Sequence, residues 1–440
     1  MNRFVTFIAW GFLSLPLTLG GQEASDQPQK ADESRWSIHF QATAIGQTHG
    51  SFPALYSGPR SLPDHPENRV SLTATVFLAL RLGRWQFVVN PEDAGGEGFG
   101  GVTGIAGFTN GEIPRVAKAT PTLYLARAFA SYTIPLGGGS ERAEDGPNQL
   151  AGSQPVRRLT LTGGKFAMTD FFDNNVYSHD PRAQFINWAI MYNGAWDYPS
   201  NTRGYTDGIV AELTMRRWSL RAGQTLMSTV ANGPILDTRI GENRGNVVEW
   251  EGRFSPSGQP GVFRVLGFAN TFDGGTFRQA MLPNGTTDLA ATRGNGTLKY
   301  GFGLNAEQAI AHDIGVFARY GWADGKTEAW EFTQIDRSLS GGVSVGGTRW
   351  RRAADRVAVA AVRNYLSGDQ RSFLAAGGLG FLIGDGRLNY RPESIVEAYY
   401  AWQVVKFFTA TVDYQHVDNP AYNHDRGPVS VFSLRLHLER

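Results

Sequence analysis

The sequence predicts an all-β protein, a transmembrane antiparallel β-barrel of about 16 strands with long extracellular loops partly folded into the lumen. Three observations carry this expectation. Hydropathy alternates with a period of two over most of the chain. Beyond the N-terminus no apolar run is long enough for a membrane-spanning helix. Glycine is in excess, with 54 residues among 440, beside an aromatic content of 12% that a disordered chain would lack. The chain has no cysteine, which excludes a disulfide scaffold, a thiolate nucleophile and a cysteine-containing zinc cluster. With 41 Lys+Arg against 40 Asp+Glu, the balance argues against a general nucleic-acid binder.

In chain order, Met1-Asn2-Arg3 supplies a positive charge, Phe4 to Leu19 is nearly all apolar, and Gly20, Gly21 and Ala24 offer small residues for cleavage. Residues 1–24 are therefore expected to be a signal peptide, 25–35 a polar periplasmic tail, and 36–440 the barrel. Trp36, Ile38 and Phe40 alternate with Ser37, His39 and Gln41, and Val70 to Leu80 repeats the pattern over a length that suits a tilted membrane strand. A break at Gly83-Arg84 then leads into Trp85, Phe87 and Val89.

Further strands are expected at Tyr124 to Ile134, Leu159 to Met168, Ile209 to Met215 and Trp218 to Met227. The second half adds Val247 to Phe254, Val262 to Thr271, Leu298 to Gln308, Ile314 to Trp322, Leu339 to Val345, Val357 to Tyr365 and Phe373 to Ile383. Ser394 to Trp402, Phe407 to His416 and Val429 to Leu438 complete the series. Where the facing is sharp, as in Leu298 to Asn305, glycine falls on the polar face, where a water-filled lumen tolerates a missing side chain. Trp218 and Trp250 near strand ends suit an interfacial girdle.

The polar register of these strands nominates inward charges: Arg127, Glu212, Glu249, Glu251, Glu307, Arg319, Arg363 and Glu397. Opposed sets of Arg and Glu create a transverse field and many hydrogen-bond partners while the net charge stays near zero.

Two segments are too long for hairpin turns. Asn90 to Pro121 is glycine-rich but lacks a phosphate-loop motif, and reads as a long extracellular loop. Gly164 to Gly208 is dense in Trp, Tyr, Asn, Asp and Arg. Its Asp170, Asp173 and Asp180 lack the spacing of a calcium loop and suit turns and caps. Its aromatics suit either stacking on a pyranose or the core of the loop itself. Lys165, Arg182, Trp188 and Trp196 join the candidates from this segment.

Within that segment Gly164-Lys165-Phe166, Phe172-Asp173-Asn174-Asn175, Asp180 to Asn187 and Trp196-Asp197-Tyr198-Pro199 follow one another. In this order they resemble the carbohydrate-selective porins of the OprB type. Further matches include Tyr56-Ser57-Gly58-Pro59, Gly104 to Phe108, Tyr124 to Arg127, and Gly384-Asp385-Gly386 with Tyr390-Arg391-Pro392-Glu393, so the resemblance spans nearly the whole chain after residue 35. The visible departure is Arg440, where outer-membrane barrels commonly end on an aromatic residue; it bears on assembly more than on function.

The resemblance implies an outer-membrane porin that passes mono- and small oligosaccharides by passive diffusion through a charged and aromatic constriction. The expected partners are small neutral saccharides and the lipid and lipopolysaccharide of the outer membrane, with no nucleic acid, no cofactor and no metal, in a monomer or homotrimer. A general or anion-leaning diffusion porin and a surface adhesin on the same barrel remain alternatives. An enzyme is not expected, since no H-E-x-x-H motif is present.

Overall fold

The computed structural model describes residues 35–440 apart from 117, 145, 147–149 and 295, so the expected signal peptide and nearly all of the tail lie outside the described residues. The strands are β1 Trp36–His49, β2 Glu67–Leu82, β3 Trp85–Gly96, β4 Thr122–Pro135, β5 Ser140–Ala143, β6 Gly152–Pro155, β7 Arg158–Phe166, β8 Thr206–Thr214 and β9 Trp218–Thr225. They continue as β10 Arg244–Phe254, β11 Gly261–Phe272, β12 Thr297–Ala311, β13 Ile314–Ala323, β14 Arg337–Gly346, β15 Arg356–Tyr365, β16 Glu393–Val405, β17 Phe408–Asp418 and β18 Val429–Glu439.

All except β5 and β6 form one closed antiparallel barrel of 16 strands in which each pairs with its chain neighbour, β4 passing directly to β7. Closure brings β18 against β1, from Gln41 opposite Glu439 to His49 opposite Val431. Closing the sheet satisfies every ladder and leaves no exposed edge, which a lipid environment demands. Arg440 extends this seam, its N–H donating to the Phe40 carbonyl at 2.9 Å. Among the described residues no helix is long and apolar enough to cross a membrane.

Alternation sets the facing. Along β1 the polar Gln41, Thr43, Gln47 and His49 are buried inside, while Trp36, Ile38 and Phe40 are exposed outside. Apolar outside and polar inside inverts the arrangement of a water-soluble core and is what a lipid-embedded barrel needs. Trp36, Trp85, Trp218 and Trp402 stand exposed at the end where the connections are short, as an aromatic girdle.

Connections alternate between this short-turn end and a long-loop end. The exception at the short-turn end is 136–157, which carries the separate β5–β6 pair and sends Leu150 against Phe77, Ala79 and Val88.

Short helices occupy the loops: α1 Ile113–Val116, α2 Trp188–Met191, α3 Phe277–Ala280 and α4 Gly368–Ala375. The last corrects the strand expected over Phe373 to Ile383. The Ser367 side chain accepts the Gln370 N–H and caps a helix there, and the inward turn of Phe373 and Leu374 follows helical rather than strand spacing. Polar-face glycines also have a different use from the one expected. Gly303 and Gly321 leave room for Asn193, and Gly315 for Tyr177, so at these positions the missing side chains admit a loop rather than water.

Candidate functional site

The longest connection, 167–205 between β7 and β8, folds into the barrel instead of over its rim, and the inward charges of the wall show why. Its backbone enters a confined space where unpaired N–H and C=O groups are costly, and the wall supplies their partners. Glu249 accepts the Asp173 N–H at 2.8 Å, Glu307 that of Val176 at 2.7 Å, and Glu397 those of Ile186 and Asn187 at 2.6 and 3.0 Å. Arg319 donates to the carbonyls of Ile190 and Ser178 at 3.1 and 2.6 Å and to the Asp173 carboxylate at 3.1 Å. Arg435 donates to the carbonyls of Pro181 and Gln184 at 2.8 and 2.6 Å. From the loop side Asp197 meets Lys299 at 3.0 Å and accepts the N–H groups of Trp330 and Glu331.

Glu251 completes the same wall. Arg221 bridges Glu249 and Glu251 at 3.0 and 3.1 Å, and Arg264 bridges Glu251 and Glu307 at 3.0 and 3.3 Å, so charges alternate in sign beneath the loop.

Within the loop, Asp170 accepts the Ala167 N–H, Asp173 that of Asn193, and Asp180 that of Arg182, the turn-and-cap roles expected of them. Asn187 caps α2 by accepting the Ala189 N–H at 3.0 Å. The helix carries Trp188 into an aromatic cluster. Its ring stacks on Phe108 at 4.9 Å and packs against Tyr192, Tyr198 and Phe332 at 5.4 to 5.8 Å. Trp196 packs on Tyr198 at 5.4 Å. With 2% and 1% exposure, Trp188 and Trp196 form the core of the loop and present no face to solvent.

The loop divides the lumen. An outer cavity of about 630 Å³ at the long-loop end is lined by Arg60, Lys118, Phe108, Thr202 and Phe332, among others. An inner cavity of about 560 Å³ opens toward the short-turn end and reaches up to Arg127, Asp170, Phe171 and His179. No described residue lines both.

Between the cavities sits a charged knot. Arg182 bonds Glu92 at 2.7 Å and Glu112 at 3.0 Å, and Arg115 bonds Glu112 at 3.0 Å and the Tyr205 hydroxyl. Tyr205 in turn donates to Glu92 at 3.1 Å, and Tyr124 donates to the same carboxylate. Arg127 grips Asp170 through two N–H groups at 2.7 and 2.6 Å and donates to Asn90 at 2.9 Å. The guanidiniums of Arg115 and Arg127 each lie 5.3 Å from the Tyr205 ring, a cation–π stack that fixes both.

Burial works against the charge on Arg115, but Tyr205, Glu112 and Glu92 outweigh it and raise its pKa well above the ordinary value. His179, on the inner side, is held down to about 4 by burial and then by Arg319, so it is neutral near pH 7.

The candidates thus divide into groups. Arg127 and Glu212 line the inner cavity, Glu212 pairing with Arg221 at 3.3 Å. Arg182 lies in the knot. Glu249, Glu251, Glu307, Arg319 and Glu397 belong to the wall that holds the loop.

Two candidates are corrected. Arg363 is exposed on the outer face of β15, since its neighbours Val362 and Asn364 are the buried, inward ones; both faces of this strand are rich in Ala and Val, so no polar register marked the inside. Lys165 stands opposite Asp207 in the β7–β8 ladder, on the face that exposes Ile209 two residues away, and so points outward too. Sequence reasoning missed Glu92, Glu112, Arg115, Tyr124 and Tyr205. Glu112 and Arg115 sit in the glycine-rich 97–121 connection, which enters the lumen instead of staying outside it.

Comparison with known proteins places this geometry. A profile described as the carbohydrate-selective porin, OprB family, matches residues 72–439. No curated protein matches the chain. Among solved structures, the high-pH form of Pseudomonas putida OprB superposes with a TM-score of 0.69 at 15% identity, covering 92% of this chain and 94% of that one. The outer-membrane channel DcaP of Acinetobacter baumannii gives a TM-score of 0.52 at 9% identity, covering 92% and 97%. Both are similar in fold, and the profile spans most of the barrel. The chain therefore belongs to the carbohydrate-selective porins of the OprB family and is an outer-membrane saccharide porin.

Proposed function

We propose that mono- and small oligosaccharides diffuse passively from the long-loop end to the short-turn end, and that the knot of Arg115, Tyr205 and Arg127 with Asp170 is the point of selection. The observation that carries this reading is a pair of cavities, each within the size range of small-molecule sites, the inner reaching Arg127 and Asp170 of that knot and the outer reaching Pro114 and Val116 on either side of Arg115. On the inner side the rings of Phe129 and Phe171 offer apolar faces for a pyranose, while Asp170, Glu212 and the hydroxyls of Ser131 and Thr160 offer hydrogen-bond partners. A sugar exchanges its water for these groups at modest cost, and no single contact is strong enough to trap it. The wall charges act through the loop: they set where the knot stands.

The test is titration of glucose against the single-channel ion current. Sugar is expected to block the current, and Arg127→Ala to raise the half-blocking concentration on the order of 10-fold, the equivalent of losing one hydrogen-bonded contact of about 1.4 kcal/mol. A current indifferent to sugar, or block unchanged in the variant, contradicts the assignment.

A further inference from the structure

The walls of the two cavities do not share the electrical balance of the chain, whose net charge is +1. Among the described residues, the inner cavity is lined by four guanidiniums, Arg81, Arg84, Arg127 and Arg158, against the carboxylates Asp170 and Glu212. The outer cavity is lined by Arg60, Arg69 and Lys118 against Glu97.

Pairing sharpens the asymmetry. Every one of these carboxylates has a cationic partner: Asp170 has Arg127, Glu212 has Arg221, and Glu97 has Arg69 at 3.9 Å. Arg158 is matched by Glu141 at 2.9 Å, and Arg69 by Glu67 at 2.5 Å. Arg81 and Arg84 on the inner side, and Arg60 and Lys118 on the outer, have no carboxylate within 4.0 Å among the described residues. Arg81 is nonetheless held in place, donating to the carbonyls of Ala151 and Leu150 at 3.0 and 3.3 Å. The uncompensated charge on both sides of the knot is therefore positive. Beside it on the inner side stand groups suited to sugar hydroxyls, Gln86, Ser131, Thr133 and Thr160.

We infer that the pore favours anionic monosaccharides, sugar acids bearing one carboxylate such as uronates and aldonates, over neutral hexoses of the same size. This rests on the saccharide-porin reading above and adds the charge of the sugar to it. A neutral sugar gains nothing from the uncompensated cations, an amino sugar is repelled by them, and a carboxylate is concentrated at both mouths by a field that low-dielectric walls focus. A guanidinium also offers a carboxylate two parallel N–H groups, whereas it offers a hydroxyl one. Cations on either side of the constriction give the solute a place to leave to as well as one to come from, so attraction speeds passage instead of arresting it.

The experiment is dual-label efflux. Vesicles containing the full-length porin are loaded with glucose and glucuronate carrying different radiolabels, with the membrane potential clamped, and the ratio of efflux rates is read within one preparation so that insertion yield cancels. At low salt glucuronate is expected to leave on the order of 10-fold faster than glucose, and glucosamine more slowly than glucose. The ratio is expected to fall toward unity in 1 M salt, where the screening length shrinks to about 3 Å. The double variant R81Q/R84Q is expected to lower the low-salt ratio by at least about threefold, the part of the steering that the inner mouth supplies. A glucuronate-to-glucose ratio at or below one overturns the inference while leaving the saccharide porin intact, because glucose still leaves. A ratio unmoved by R81Q/R84Q overturns it as well. Retention of both sugars overturns the porin reading itself.

Discussion

Glu397→Ala is expected to raise the single-channel conductance severalfold and to abolish discrimination between glucose and larger oligosaccharides. Glu397 is fully buried on β16 and accepts two consecutive loop amides, Ile186 and Asn187, at 2.6 and 3.0 Å. Each amide left unsatisfied in a confined space costs roughly 1–3 kcal/mol, and the substitution orphans two. Arg435 on the flanking carbonyls and Arg319 on Ile190 hold acceptors and cannot replace an acceptor, while Arg182 stays tied to Glu92 and Asn187 to Gln415. The backbone between Arg182 and Trp188 therefore loosens from β16. Glu397→Gln keeps the shape but presents an NH2 to one of the two amides, so an intermediate conductance is expected of it. Wild-type conductance in the alanine variant, at wild-type heat-modifiable mobility, contradicts the role assigned to the carboxylate.

Trp188→Ala is the second large effect, and its signature separates a packing residue from a sugar-stacking one. Removing the indole from among Phe108, Tyr192, Tyr198 and Phe332 leaves a void whose cost is about 3–5 kcal/mol. That is enough to unseat a loop segment without unfolding a barrel held by its own ladders. The open-channel current is expected to rise and grow noisy, and sugar block to weaken by more than about 10-fold, the equivalent of some 1.4 kcal/mol or more of that loss. Trp188→Phe, which keeps most of the packing, should preserve both. If Trp188 instead stacked directly on sugar, the alanine variant would lose block while its open-channel current stayed at the wild-type level.

How much of this could be read before the structure depends on whether the signal is local. Strands were legible because a two-sided wall writes its period into every pair of residues, as β1 and β12 show. The segment 373–383 misled because alternation of Phe, Leu and Ile there is shared by a short helix and the coil after it; Ser367 with Gln370 three residues on was the capping signal that pointed the other way. The inward carboxylates Glu249, Glu307 and Glu397 were visible from register, but not their task, since that depends on where residues 167–205 travel. The same holds for the glycines: Gly303 and Gly321 face inward as expected, yet what occupies the space beside them is Asn193, more than a hundred residues earlier in the chain. Arg115 and Glu112 carried no register at all, because they reach the lumen from a connection.

Residues 167–205 are pinned to the wall between the two cavities, and the proposed function requires a passage there that admits a hexose and little more. The most direct test of that requirement exploits the lack of cysteine in the chain, which makes a single introduced thiol a background-free probe. Thr202→Cys places the thiol in the outer cavity and Thr160→Cys in the inner one. With reagents added only at the long-loop side of reconstituted porin, a thiol reagent no larger than a hexose is expected to modify both positions, and a bulky polymer-linked reagent to modify Thr202→Cys alone. Modification of Thr160→Cys by the bulky reagent at a rate comparable to that of Thr202→Cys would contradict the constriction.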